Sequence, residues 1–201
     1  VMECYPERLH PQDLKKISAI ALATDHTIKL IEDLLLLARM DEATIMENNQ
    51  WSIIPLNDLL EDLKDFLQAT AQEKGIILEF YLITNIKIEG NSSQLTRLFR
   101  NLIENALQYT PNGGKVTVRL KRTERNVMIE IEDTGMGITE EEIPLIFDRF
   151  WRADKARNRR KGGMGMGLSI VKAIAQRHQG DITVSSQIGV GSCFRVHFPL
   201  S

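Results

Sequence analysis

No proline or glycine interrupts the chain from Gln12 to Glu47, and within that stretch Leu14, Ile17, Ala21, Thr24, Ile28, Ile31, Leu35 and Ala38 recur at alternating steps of three and four. A repeat averaging about 3.5 residues places all of them on one side of an α-helix. Lys15, Lys16, Asp25, Lys29, Glu32 and Asp33 fall mostly off that side. One long helix with one apolar stripe is not a domain, so this feature constrains the fold more than any other. The stripe must be buried against a second helix, in a bundle or between chains, or against the domain that follows. Its length favours the bundle or the intermolecular partner, with polar Thr24 inside the seam.

The polar run Glu47–Gln50 and Pro55 mark the boundary of a second unit, giving segments 1–46 and 47–201. Beyond it strands and helices alternate. Trp51–Ile54 reads as a short strand, and Leu56–Lys74 as a helix on the spacing of Leu59, Leu60, Leu63, Phe66 and Leu67, stopped by Gly75. Ile76–Ile83 and Ile86–Glu89 read as strands. Asn91 is an N-cap with Gln94 at the capping-box position, opening a helix to about Tyr109. Val116, Val118 and Leu120 alternate, as do Val127, Ile129 and Ile131, which makes two strands after the turn at Pro111–Gly114. Thr139–Ile146 reads as a short helix, Trp151–Gly163 as a polar loop and Leu168–Gln179 as a helix. Ile182–Ser186 and Ser192–Pro199 close the chain as a hairpin. The expected fold is an α/β two-layer sandwich with a mixed sheet, preceded by a long N-terminal helix.

With 201 residues, 43% hydrophobic and 26% charged, the composition is that of a globular chain, and a net charge of −2 is wrong for a nucleic-acid surface. Aliphatic runs such as Leu34–Ala38 fall far short of the roughly 20 residues a membrane span needs. Val1–Pro11 has no signal-peptide pattern, and a start without Met points to a piece of a longer protein. Cys4 and Cys193 have no metal-ligand spacing, and with only two cysteines a reducing, cytoplasmic compartment is expected, with any membrane attachment made by segments outside this chain.

Four segments could carry chemistry. On the helix 91–109, Arg97, Asn101, Asn105 and Gln108 share one face, opposite Leu95, Leu98, Phe99, Leu102 and Ala106. Such a face is either plain solvated surface or a set of neutral amide oxygens suited to Mg²⁺. Asp133-Thr134-Gly135-Met136-Gly137 follows a strand. It is either a strand-ending turn or an acceptor for the exocyclic amino group of adenine, with glycines that let backbone approach a flat ring. Gly163-Met164-Gly165-Met166-Gly167-Leu168 runs into a helix, either as a hinge or as an anion site built from helix N–H groups. Its GxGxG spacing and the basic loop before it fit neither a Rossmann turn nor a P-loop. Arg149–Lys161 holds seven of the 25 Lys and Arg residues and one acid, Asp154, as a solvated loop or as a lid over phosphate.

The order of these segments is more specific than any one of them. With Phe147-Asp148-Arg149-Phe150 between the second and the fourth, the chain resembles the sensor histidine kinases of two-component systems over about residues 50–200. Asn101–Thr110 is similar to that family's N box, Asp133–Gly137 to its G1 box, Phe147–Phe150 to its F box and Gly163–Leu168 to its G2 box. The resemblance implies a Bergerat-type ATP-binding catalytic domain at 47–201. It implies that Asn105, helped by Asn101, holds Mg²⁺, that Asp133 reads adenine, that Tyr109 packs at the nucleotide and that residues 151–163 form a lid. Gly135, Gly137, Gly163, Gly165, Gly167 and Leu168 then belong to the nucleotide-binding loops. The helix in 1–46 resembles the second helix of the family's dimerisation and phosphotransfer hairpin, which implies a homodimer, a phosphoacceptor histidine on the first helix and a response regulator as partner.

Gln108 stands where the family often has Lys, so a lid cation such as Arg152, Lys155, Arg157 or Arg160 is expected to meet phosphate. Met164 replaces a common Thr. None of His10, His26, His178 and His197 lies in the family's acceptor-histidine context. Hydrolytic relatives carry a Glu four residues before the metal-binding Asn. Here that position is Asn101, and Glu104 lies about 100° around the helix from Asn105. The residues therefore favour a kinase over a non-catalytic nucleotide-binding module or an ATPase.

Overall fold

A computed structural model describes residues 11–41, 51–123, 126–152 and 165–200. The elements run α1 (Pro11–Asp41), β1 (Trp51–Pro55), α2 (Leu56–Glu73), β2 (Ile77–Leu82), β3 (Lys87–Asn91), α3 (Ser92–Tyr109), β4 (Lys115–Arg122), β5 (Asn126–Asp133), α4 (Gly167–Arg177), β6 (Asp181–Gln187) and β7 (Gly191–Pro199).

Five strands form one sheet in the order β2-β4-β5-β7-β6. β2 and β4 are parallel and the other pairs antiparallel. A separate antiparallel pair joins β1 to β3. The parallel pair follows from the connection, since β3 and α3 intervene between strands that a tight turn could not join. Val116, Val118, Leu120, Val127, Ile129, Ile131, Phe194, Val196 and Phe198 point to one face and are buried there. α2, α3 and α4 cover that face with Leu60, Leu67, Leu98, Leu102, Ile170 and Ile174, all within 1% exposure. This is the expected two-layer α/β sandwich with a mixed sheet.

Two details differ from the sequence reading. Thr139–Ile146 folds as consecutive turns rather than a helix. Its start signal is genuine: the Glu142 N–H donates to Thr139 Oγ1 while the Glu142 carboxylate receives the Thr139 N–H and hydroxyl. Pro144 then removes a donor and clashes with the preceding turn, so only isolated i→i−3 and i→i−4 bonds form around it. The second detail is α1, which begins at Pro11, where a missing N–H costs nothing. Its seam residues Leu14, Ile17, Ile28, Ile31 and Leu35 are exposed. The packing onto the core comes from Leu37, at 2% exposure, and half-buried Leu36, which lie off the seam. The boundary at 46/47 lies outside the described residues.

Candidate functional site

α3 is an amphipathic helix whose apolar face is fully inside, and this leaves Arg97, Asn101 and Asn105 half-buried and Gln108 exposed along its other face. Asn101 Nδ2 donates to the Gly167 carbonyl at 3.5 Å, joining the middle of α3 to the start of α4. The N-cap residue of α4, Met166, makes no side-chain capping bond, so among the described residues N–H groups of its first turn remain for an acceptor beside the two asparagines. Leu168 is half-buried against the core and anchors that turn. The amide oxygens of Asn101 and Asn105 are neutral, and they are of the kind Mg²⁺ takes while keeping water and phosphate as its other ligands.

Asp133 ends β5 and is 6% exposed. Burial pushes its carboxyl above the ordinary 3.8, and the N–H groups of Gly135 and Ser192 pull the other way; the Gly135 N–H donates to Oδ1 at 2.8 Å. A Cβ on Gly135 would sit 2.6 Å from the Tyr109 carbonyl oxygen, so the loop and the end of α3 touch backbone to backbone. The Met136 N–H reaches the same carbonyl at 3.4 Å. Tyr109 itself is 41% exposed, which leaves its ring free to cover a ligand. Gly137 has φ +75° and packs on the Gln187 carbonyl, a conformation and a closeness that exclude a side chain.

The turn after Phe147–Phe150 meets the glycine run. The Phe150 N–H donates to the Gly165 carbonyl at 3.0 Å, and Gly165, at φ +74°, leaves no room for a Cβ against Phe150 and Trp151. The structure thus brings together Asn101 with Gly167, Tyr109 with Gly135, and Gly165 with Phe150. Arg152, which follows Trp151, is half-buried. Lys155 and Gly163 lie outside the described residues, as does most of the basic loop.

Sequence reasoning missed the far wall of the site. Gly191 presses on the Asp133 carbonyl, and Ser192 pairs with Asp133 across β5 and β7. Ser186 Oγ receives the Ile138 N–H at 2.8 Å and donates to the Gly191 carbonyl at 2.9 Å, tying the Asp133 loop to the last hairpin. The only signal in the chain was the glycine pair of the hairpin turn. Glu104 is held by Arg100 at 2.9 Å.

Residues 90–201 match the family described as histidine kinase-, DNA gyrase B-, and HSP90-like ATPase. The chain is 41% identical over 173 residues, 86% of its length and 38% of the relative's, to the sensor histidine kinase RppB of Synechocystis sp.. It is 33% identical to the sensor histidine kinase WalK of Bacillus subtilis, over 88% of this chain and 29% of that one. It spans about two fifths or less of the length of these relatives. Among solved structures, the mycobacterial sensor histidine kinase MprB superposes with a TM-score of 0.64 at 26% identity, over 74% of this chain and 97% of that one. ShkA, solved full-length in complex with AMPPNP, superposes with a TM-score of 0.82 over 96% of this chain and 40% of that one, at 24% identity. The chain belongs to the histidine kinase-, gyrase B- and HSP90-like ATPase family, as a catalytic domain of the sensor histidine kinase type.

Proposed function

We propose that this chain binds Mg-ATP in the space between α3, the Asp133 loop and the start of α4, and donates the γ-phosphoryl group to a histidine. Asp133 accepts the adenine amino group, Gly135 and Gly137 admit the ring, and Tyr109 covers it. Asn105 and Asn101 hold Mg²⁺, which supplies charge neutralisation between the phosphates. Gln108, Arg152 and Lys155 meet phosphate oxygens, and the backbone of Gly163, Gly165, Gly167 and Leu168 supplies N–H donors. The acceptor is a histidine on the helix that pairs with α1, within a homodimer of the whole protein. The bond from the γ-phosphorus to the bridging oxygen breaks, that oxygen staying with ADP, and a bond forms to the unprotonated imidazole nitrogen, while the proton on the second ring nitrogen is released to solvent. The phosphoryl group then passes to an aspartate of a response regulator. Such a transfer needs positioning and charge stabilisation more than covalent help. The chain acts on the cytoplasmic side, and any membrane attachment is made outside it; among the described residues no helix is long and apolar enough to cross a membrane.

The observation that carries this reading is the bond from Asn101 to Gly167, which sets amide oxygens beside uncapped helix N–H groups. The AMPPNP bound in the ShkA complex supports a nucleotide ligand. The Arg100–Glu104 ion pair speaks against Glu104 as the base of an ATPase. The test is a first-helix peptide or the full-length kinase mixed with labelled ATP and Mg²⁺. Label is expected on histidine, and Asn105→Ala is expected to abolish it. Transfer at the wild-type rate in that variant would remove Asn105 from the metal role, and no transfer at all would sink the reading.

A further inference from the structure

His178 is the one histidine that the described structure buries, at 4% exposure, and nothing in the nucleotide chemistry uses it. It follows the last residue of α4. Its Nδ1–H donates to the Ile174 carbonyl at 2.8 Å, which makes Nε2 an acceptor, and Nε2 receives the Asn91 backbone N–H at 3.0 Å. Asn91 is the N-cap of α3, its side chain accepting the Gln94 N–H at 3.1 Å. In a capping box the Gln94 side chain would accept the Asn91 N–H in turn. Here Gln94 Oε1 is buried with no hydrogen-bond partner among the described residues, and His178 has taken its place from another helix. The ring is held firmly: it stacks on Trp51 at 4.8 Å and 15°, meets Phe198 edge-on at 6.2 Å, and fits only because residue 90 is glycine, whose Cβ would stand 2.6 Å from the imidazole.

α3 and α4 are therefore joined at two places, Asn101 to Gly167 and Asn91 to His178. Along α3 the interval from Asn91 to Asn101 is about 15 Å, and along α4 that from Gly167 to His178 is about 16 Å. The helices run antiparallel and the intervals match. We propose that His178 is a positioning residue: a peg that fixes the axial register of α4 against α3 and thereby sets the N-terminus of α4 beside Asn101. Its consequence for nucleotide binding rests on the Mg-ATP reading above, whereas the peg itself does not. Protonation would remove the Nε2 acceptor that the Asn91 N–H meets. Burial pushes the imidazole below its ordinary 6.5, the Ile174 bond opposes that, and Arg177 on its own helix adds to it. The groups facing it from the other elements, Trp51 of β1, Gly90 and Asn91 of β3 and Phe198 of β7, carry no charge.

The test compares the wild-type chain with His178→Phe, which keeps the aromatic stack and loses both bonds, and His178→Gln, which retains a donor and an acceptor. Amide exchange at Ile170, whose N–H donates to the Met166 carbonyl and closes the first turn of α4, and at Val171 and Lys172 after it, is followed without nucleotide, and AMPPNP affinity is measured with Mg²⁺. The Phe variant is expected to speed exchange in that first turn about five-fold, with β5 unchanged, and to weaken AMPPNP by a similar factor, the weight of one ordinary hydrogen bond. The Gln variant is expected to restore both. Wild-type protein should loosen the same turn as the pH falls below the ordinary imidazole range, after correction for intrinsic exchange, and the Gln variant should not. Unchanged exchange in a folded Phe variant, or a Gln variant as loose as it, overturns the peg. If the Phe variant does not fold, the acid response decides, and an identical response in wild type and His178→Gln overturns it. A wild-type chain that binds no AMPPNP yet shows the exchange pattern refutes the Mg-ATP reading and leaves the peg standing.

Discussion

Asp133 combines burial, a carboxyl pushed above 3.8, and two backbone N–H donors aimed at it. A folded-state value above the unfolded one means that the proton-linked stability is fully present below about pH 3.8 and is lost as the pH rises through the folded value. Ionisation of this side chain is thus opposed by the fold, a pattern common at functional sites. Asp133→Asn cannot ionise and still accepts the Gly135 N–H through its oxygen. It is expected to be more stable than wild type at pH 7, with the gap shrinking as the pH approaches 3.8, in urea titrations at both pH values. The same variant is expected to weaken ATP by about 1–3 kcal/mol, because its NH₂ group opposes the adenine amino group. A gap that does not change with pH would remove burial as the cause. Asp133 was legible from the sequence because an acid followed by spaced glycines at a strand end is a local pattern. Gly191 and Ser192 were not, because only the register of β5 against β7 brings them there.

β4, β5 and β7 show what alternation says and what it omits. Val116, Val118 and Leu120 on β4, with Ile129 and Ile131 on β5, announced two strands and their buried face. The opposite face carries an ion cluster centred on Glu130, with Glu132 also paired to Arg119. Glu130 stands across from Arg119 on one side and Arg195 on the other, and it bonds Arg119, Lys121 and Arg195 at 3.0–3.1 Å. Burial raises its carboxyl, yet the cations outweigh that and hold it below 4.5. The stability it contributes is therefore present above about pH 4.5 and fades as the pH falls through the depressed value. Glu130→Ala is expected to cost about 1–2 kcal/mol at pH 7 in chemical denaturation, less than a fully buried pair because the cations stay partly in water, and less at about pH 3. Equal losses at both pH values would make the effect one of packing rather than charge. No pattern within one strand could reveal this cluster. Pro144 teaches the converse: the capping signal at Thr139 was local and correct, and one residue five places on ended the helix it opened.

At the scale of the molecule, near-neutrality hides an uneven charge, since Arg149–Lys161 carries +6 and leaves −8 for the rest. The apolar surface is uneven as well. Leu14, Ile17, Ile28 and Ile31 leave the heptad seam of α1 at 40–52% exposure, while Leu37, off that seam, is inside the core of the ATP-binding unit. The periodicity announced the helix and its stripe, but it could not tell which residue docks the helix onto its own domain, because a contact of one turn leaves no repeat. The two sets should separate in experiment. Leu37→Ala empties a packed site and is expected to lower unfolding stability by about 2–4 kcal/mol. Replacing Ile17, Ile28 and Ile31 together with Gln should move that stability by less than about 0.5 kcal/mol each, as at other exposed positions. The triple variant should instead lose any self-association seen by sedimentation velocity in the full-length protein, since an apolar stripe of this length is stable only when covered. The reverse result, a large loss of stability from the seam and none from Leu37, would mean that α1 lies along its own domain by the stripe, and that the stripe is not the surface through which two copies meet.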